Sequence, residues 1–366
     1  MEKKLGFGLM RLPLIDANDS GSVDLELVKK MVDSFLEQGF TYFDTAYMYC
    51  GGKSEYAVRD ALVSRHPRES YTVTSKLPPN QLKTEADRDR VFNEQLEKTG
   101  LSYFDYYLLH SITAKNIEIF ESLGCFDWIQ EKKAKGFAKQ IGFSFHAGPE
   151  LLDRLLTDYP FFDLVQLQIN YLDWESAKVQ SRACYEVAVK HNKQVIIMEP
   201  VKGGTLADVP AGVKNMFTKR EKNMSPASWA IRFAASLPNV KMVLSGMSNM
   251  DQLLDNTGYM ADFKPLTEEE HKMMLLAGDI IAGNIPIACT GCDYCTSNCP
   301  ANIPIPQFFA LYNAAASAEP DKAAYAKLGD EFGLASECAG CGQCESICPQ
   351  GLPIRDYLNQ VAEKFE

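Results

Sequence analysis

Eight of the chain's 11 cysteines stand in two nearly identical runs toward its C-terminal end. The first reads Cys289-x2-Cys292-x2-Cys295-x3-Cys299-Pro300, and the second Cys338-x2-Cys341-x2-Cys344-x3-Cys348-Pro349. Nothing else in the chain restricts the fold as tightly. In a reducing compartment, cysteines at this density read as metal ligands before disulfides. A [4Fe–4S] cubane takes four thiolates, and Cys-x2-Cys-x2-Cys lets one loop wrap three of its corners. Zinc also accepts four cysteines from Cys-x2-Cys pairs, so two zinc sites are the alternative. The third cysteine step and the Cys-Pro ending favour the cubane.

Each run resembles that of the bacterial ferredoxins, in which the fourth cysteine ligates the other cluster. The resemblance implies one cluster on Cys289, Cys292, Cys295 and Cys348, and a second on Cys338, Cys341, Cys344 and Cys299. Between the runs lie 38 residues rich in Ala, Leu and Phe at helical spacing. That insert is similar to those of helical dicluster domains fused to larger oxidoreductases. A small, mainly α-helical ferredoxin-like module is therefore expected over residues 284–366. The segment is acidic, with ten Asp or Glu against four Lys or Arg. Such a surface either keeps the module solvated or offers a docking face to an electron-transfer protein.

Apolar residues make up 46% of the 366, enough for a large core, and the length exceeds one ordinary domain. The net charge of −11 argues against nucleic acid and against anionic membrane surfaces. The opening MEKKLGFGLMRLP lacks the apolar stretch of a signal peptide, and no run approaches the roughly 20 apolar residues of a membrane span. The expectation is a cytoplasmic protein.

Over residues 1–283, β-rich apolar runs alternate with amphipathic helical stretches. Strands are predicted at 4–10, 40–45, 71–76, 104–110, 138–146, 163–170, 194–200 and 240–246. Helices are predicted at 24–39, 53–65, 85–100, 176–192 and 225–238. Such alternation implies parallel pairing, and eight units in about 250 residues imply a closed (β/α)8 TIM barrel. No G-x-G-x-x-G follows any strand, so a doubly wound dinucleotide fold has no fingerprint.

Chemistry in a barrel of this kind sits at the strand C-termini. Those ends carry Asp44 after the second strand, Lys76 on the third and His110 on the fourth, with Tyr49 five residues beyond Asp44. A tyrosine near pKa 10 is a poor proton donor and acceptor at neutral pH. A neighbouring ammonium should favour its phenolate and lower that pKa, with a carboxylate holding the ammonium in place. Tyr49, Lys76 and Asp44 thus make a proton relay, and His110 can hydrogen-bond a carbonyl oxygen. Singly, each has a plainer explanation as a cap, a surface charge or a satisfied polar group. Their placement at neighbouring strand ends is what points to a site.

The segments DTAYMYCGGKSE (44–55), TSK (74–76) and LLH (108–110) resemble the aldo-keto reductases. With the cysteine-rich extension, the chain is similar to an iron–sulfur branch of that family. The resemblance implies an oxidoreductase that reduces an aldehyde or ketone with hydride from NAD(P)H. Tyr49 would be the general acid, Lys76 and Asp44 would tune it, and His110 would orient the carbonyl. It also implies that Ser144 and Gln166 hold the nicotinamide carboxamide and that Met198 packs on the ring. The turn and helix of LSGMSNMDQLLDN (244–256), with Gly246, Ser248, Asn249, Gln252 and Asn256, would take the cofactor phosphates. Ser248 and Asn249 can cap that helix, and Lys202 is the nearest basic candidate.

Cys50, Cys125 and Cys184 read as small buried apolar groups, and His146 as a structural residue that can reach the mouth. Hydride moves two electrons together while a cubane moves one, so the tail needs its own account. Three accounts stand. The clusters fold the tail and shape the pocket of a carbonyl reductase, or they link a flavin or radical site in the barrel to an external redox protein. In the third, the barrel is a scaffold for a ferredoxin-like carrier, which the intact Asp44, Tyr49, Lys76 and His110 set argues against.

Overall fold

The computed structural model describes residues 3–16, 19–296, 299–316 and 319–366. All eight predicted strands form: β1 (Leu5–Gly8), β2 (Tyr42–Asp44), β3 (Thr72–Leu77), β4 (Phe104–Ile112), β5 (Ala138–Phe145), β6 (Leu164–Gln168), β7 (Gln194–Met198) and β8 (Val240–Gly246). They pair in parallel in chain order and close, β8 against β1. Successive side chains on a strand point to opposite faces, and the sequence follows that alternation. Tyr42, Tyr106, Leu108, Leu164, Ile196, Met242 and Leu244 fill the interior, while Phe7, Phe43, Val73, Tyr107 and Leu109 face the surrounding helices. On β3 the alternation turns Ser75 outward, where buried Glu55 accepts from its hydroxyl at 2.7 Å and Gln95 donates to the Lys76 carbonyl at 3.0 Å. Lys76 is thereby left pointing into the barrel.

Helix ends follow local chemistry. Asp24 caps Leu25–Glu37 and Ser225 caps Pro226–Ser236, each accepting a backbone N–H three residues on. Gly100, at φ +69°, ends the helix Ala86–Thr99. The predicted helix at 53–65 is shorter than expected: Ser54–Val58 gives way to a wider π turn over Arg59–Val63. The one at 176–192 begins only at Ser181, because Gln180 adopts a left-handed backbone.

The tail has a separate core. Ile305–Ala314, Lys322–Glu331, Gln343–Ile347 and Ile354–Phe365 are helical. Phe308 stacks on Tyr325 at 4.4 Å, and Tyr325 on Phe365 at 5.2 Å, pinning the insert to the final helix.

This tail lies over the barrel mouth. Arg11 donates to the Thr290 carbonyl at 2.6 Å, and Lys115 to that of Glu345 at 3.1 Å. A Cβ on Gly203 (φ +63°) would meet the Thr290 carbonyl oxygen at 2.3 Å. Gly203→Ala should lower the thermal midpoint, through about 1–2 kcal/mol of backbone strain plus the overlap. Gly212→Ala, in a helix with nothing near its Cβ, should instead stabilise by up to about 1 kcal/mol. Matched thermal melts check both.

Candidate active site and cysteine cavities

Asp44, at the C-terminal end of β2, and Lys76, one residue short of the end of β3, meet inside the mouth at 2.5 Å, and both are fully buried. The Lys76 ammonium also donates to the Thr45 carbonyl at 2.8 Å and to Tyr49 Oη at 3.3 Å. The second Asp44 oxygen accepts from Gln166 Nε2 at 3.2 Å. Every member of the ion pair is thus hydrogen-bonded, the condition under which a buried pair is tolerated. Tyr49 begins a tight turn in which Cys50 (φ +52°) and Gly51 (φ +57°) are both left-handed, bringing the phenol back over Lys76. Its ring stands edge-on to that of His110, 5.9 Å away.

Burial pushes the Asp44 carboxyl up and the Lys76 ammonium down, and each charge opposes the shift of its partner. His110 lies well below its ordinary value through burial and the neighbouring Lys76, so it is neutral at pH 7. Tyr49 departs from the sequence expectation. Burial first, and the Asp44 carboxylate second, hold its phenol well above 10. The resting group therefore keeps its proton. The expectation counted the ammonium and left out the cost of burying a phenolate.

One cleft brings Asp44, Tyr49, His110, Ser144, Gln166, Met198, Gly246, Ser248, Gln252 and Asn256 together. Ser144 accepts from the Ser111 N–H at 2.6 Å. Asn249 is the N-cap of Met250–Ala261, accepting from the Gln252 N–H. Ser248 does not cap: its hydroxyl donates to the Arg11 carbonyl, and its N–H to the Gln252 side chain. Asn256 donates to Ser245 and accepts from Tyr259. Lys202 is neither at the surface nor in the cleft. It is buried, with both Asp173 oxygens at 2.7 and 2.8 Å and Gln350 Oε1 at 3.1 Å. Its ammonium is thus engaged by Asp173 and Gln350. Cys125 and Cys184 are buried thiols, and His146 does reach the cleft, where burial lowers it to about 4.

Sequence reasoning missed several lining groups. Arg11 follows β1, and its stem lies 3.3 Å from where a Gly246 side chain would begin. Glu199, half-buried just after β7 with a left-handed φ of +54°, has its carboxyl pushed up chiefly by burial. Tyr294 comes from the tail: its ring meets that of His110 at 6.5 Å and 87°, and it lines the same cleft as Tyr49. Gln350 exchanges two 3.0 Å hydrogen bonds with Gln168. Reading the β1 end would have found Arg11. Tyr294 is the lone aromatic in the first cysteine run, where the second has Gln343.

The cysteines surround two cavities. One is lined by Cys289, Cys292, Cys295 and Cys348, the other by Cys299, Cys338, Cys341 and Cys344. Buried Ile305 walls both. Among the described residues, no three His, Cys, Asp or Glu groups converge as on a single ion. The thiols ring a space instead, as a cubane needs. The Gly291 N–H donates to Cys289 Sγ at 3.4 Å, the kind of bond that stabilises a thiolate ligand. Burial first, with Glu199 and the neighbouring cysteines adding to it, pushes Cys292 up to about 12, so positive iron would have to hold the thiolates. Cys292 and Tyr294 line both the first cavity and the cleft at the barrel mouth.

Comparison with known proteins agrees with this architecture. Residues 288–352 match the 4Fe-4S dicluster domain. An aldo-keto reductase of Mycobacterium sp. (strain MCS) is 27% identical over 274 residues, covering 71% of this chain and 88% of the relative. The holo form of an aldo-keto reductase from Bacillus halodurans superposes with a TM-score of 0.59 at 23% identity, over 75% of this chain and 91% of that one. A Klebsiella pneumoniae aldo-keto reductase in complex with NADPH gives 0.57 at 19%, over 75% and 94%. Residues 4–275 match the aldo/keto reductase family, and the chain belongs to that family as an oxidoreductase with a C-terminal iron–sulfur domain.

Proposed function

We propose that the protein reduces an aldehyde or ketone to an alcohol with NAD(P)H, with Tyr49 as the general acid. The observation that carries this reading is the Tyr49 phenol oxygen 3.3 Å from the buried Lys76 ammonium. Nicotinamide bound in the cleft would supply hydride to the carbonyl carbon. Tyr49 Oη gives its proton to the carbonyl oxygen, and Lys76 steadies the phenolate left behind. Asp44 fixes Lys76, while neutral His110 offers a hydrogen bond that orients the carbonyl. Ser144, whose oxygen already accepts from Ser111, can donate to the carboxamide oxygen. Gln166 gives Nε2 to Asp44 and keeps Oε1 for the carboxamide N–H. Steady-state oxidation of NADPH and NADH against a panel of aldehydes and ketones tests the reading. Turnover with one of them is expected, and none across the panel with either nucleotide would overturn it.

In the same reading the chain divides at 283/284, and the tail holds two [4Fe–4S] clusters with crossed fourth ligands. Cys348→Ser should then remove the same electron paramagnetic resonance signal as Cys292→Ser, leaving the other cluster in place. If Cys348→Ser depletes the signal that Cys341→Ser removes, the ligands are not crossed. A second reading draws on Cys292, which faces both cavity and cleft: the clusters pass electrons between the mouth and a redox protein at the acidic tail, where Cys341 is exposed.

A further inference from the structure

A further cavity, of about 390 Å3, adjoins the cleft at the barrel mouth, and His146 and Pro349 line both. Its barrel wall comes from the loops that follow β4, β5 and β6, and residues 345–351 of the tail close the other side. The charges in that wall do not cancel. Lys115 and Lys178 both face the space, and neither is paired with a carboxylate among the described residues. Lys115 gives one hydrogen to the Glu345 carbonyl at 3.1 Å and keeps the rest. Glu345 is the one carboxylate in the described wall, and it is already spent: its oxygens accept from the Arg355 N–H at 2.9 Å and from the guanidinium at 2.8 Å. Glu150 comes near at Gly148, in the first turn of the helix Pro149–Asp158, whose own amides favour a carboxylate there. Thr113 Oγ1 accepts from the Lys115 and Asn116 N–H groups at 3.3 and 3.2 Å, which leaves its proton free to donate. In a chain of net charge −11, spare ammonium groups from two separate loops facing one cavity suit an anion.

We propose that this cavity takes the far end of the substrate, and that the substrate is an aldehyde or ketone carrying a terminal anionic group, a carboxylate or a phosphate. The inference rests on carbonyl reduction at Tyr49. With the carbonyl between Tyr49 and His110, the chain passes His146 and the anion meets Lys115, Lys178 and the Thr113 hydroxyl. Phe145, Leu167 and Val179 line the cavity and give an aliphatic chain apolar cover. His146 stands where the two spaces join, held neutral by burial and without a hydrogen-bond partner among the described residues. It can therefore pass a chain without competing for the anion. Lys115 also ties the tail, so Lys178, which holds no such contact, is the cleaner probe.

A homologous series of ω-oxo carboxylates, each beside its methyl ester, tests the proposal on the iron-loaded protein. At the chain length that spans the two spaces, kcat/KM should favour the acid over its ester by about 10-fold. Lys178→Gln should lower that acid-to-ester ratio about 3- to 10-fold, mostly through KM, and Lys178→Glu should lower it further. Added salt should shrink the wild-type ratio, because both ammonium groups are exposed. Equal turnover of acid and ester at every length would overturn the proposal, as would a ratio that neither Lys178 variant changes. If a variant loses iron or thermal stability, the wild-type ratio and its salt dependence still decide. ω-Oxoalkyl phosphates in the same assay separate the two anions: the better substrate of each matched pair names the group the cavity takes. Failure of this inference is distinct from failure of carbonyl reduction. Esters turned over as well as acids remove only the anion site. If no carbonyl is reduced at all, calorimetric titration with the saturated carboxylate of matching length still reads the cavity. Wild type should bind it more tightly than Lys178→Gln, and equal binding or none would overturn the site.

Discussion

Tyr49→Phe should lose carbonyl reduction by about 100- to 10,000-fold while keeping its iron and its visible absorbance. The ring stays edge-on to His110, and the variant loses only the oxygen that accepts from Lys76. His110 is neutral, and two of the Lys76 hydrogens stay engaged by Asp44 and the Thr45 carbonyl, so neither takes over as the proton donor. Binding of nicotinamide should persist, since Ser144 and Gln166 do not touch the phenol. Turnover within a few-fold of wild type would place the proton donor elsewhere. His146 would then be the next group to test, because it lies in the same cleft.

Asp44→Ala should be the most destabilising single change in the mouth. It leaves the Lys76 ammonium fully buried with a carbonyl and a phenol as its remaining partners. Breaking a buried pair from one side costs about 3–5 kcal/mol, a large share of an ordinary fold's total stability. Replacing both partners by apolar groups removes the uncompensated charge, so Asp44→Leu with Lys76→Met should recover most of the loss while remaining inactive. Thermal midpoints at one scan rate read both changes. A double variant no better than Asp44→Ala would mean that the pair serves packing rather than charge compensation.

The barrel was legible because buried parallel strands are apolar runs bounded by turns, and eight of them leave one closed topology. The mouth residues followed from that topology, since Asp44, Lys76 and His110 lie at or near the C-terminal ends of successive strands. What stayed hidden depends on how barrel and tail meet, which cysteine spacing does not encode. Gln350 bonds Gln168 across 182 residues, and Arg11 bonds Thr290 across 279. The burial of Lys202 stayed hidden for the same reason: its partner Asp173 lies in another loop, and only the fold brings them together. Glu55 was quoted within a motif without a role, because its hydrogen bonds to Ser75 and Gln95 form behind the barrel wall. The Tyr49 shift needed burial, which no local motif reports. Among the described residues no helix is long and apolar enough to cross a membrane.

The central claim is that electrons reach the substrate as hydride, with the clusters building the mouth rather than feeding it. Anaerobic mixing of the iron-loaded protein with NADPH, and then with NADH, tests it directly when nicotinamide and cluster absorbance are followed together. The account predicts that nicotinamide is consumed only after a carbonyl compound is added, at constant cluster absorbance. Bleaching of the clusters by nicotinamide alone would contradict it and place barrel and tail on one electron path.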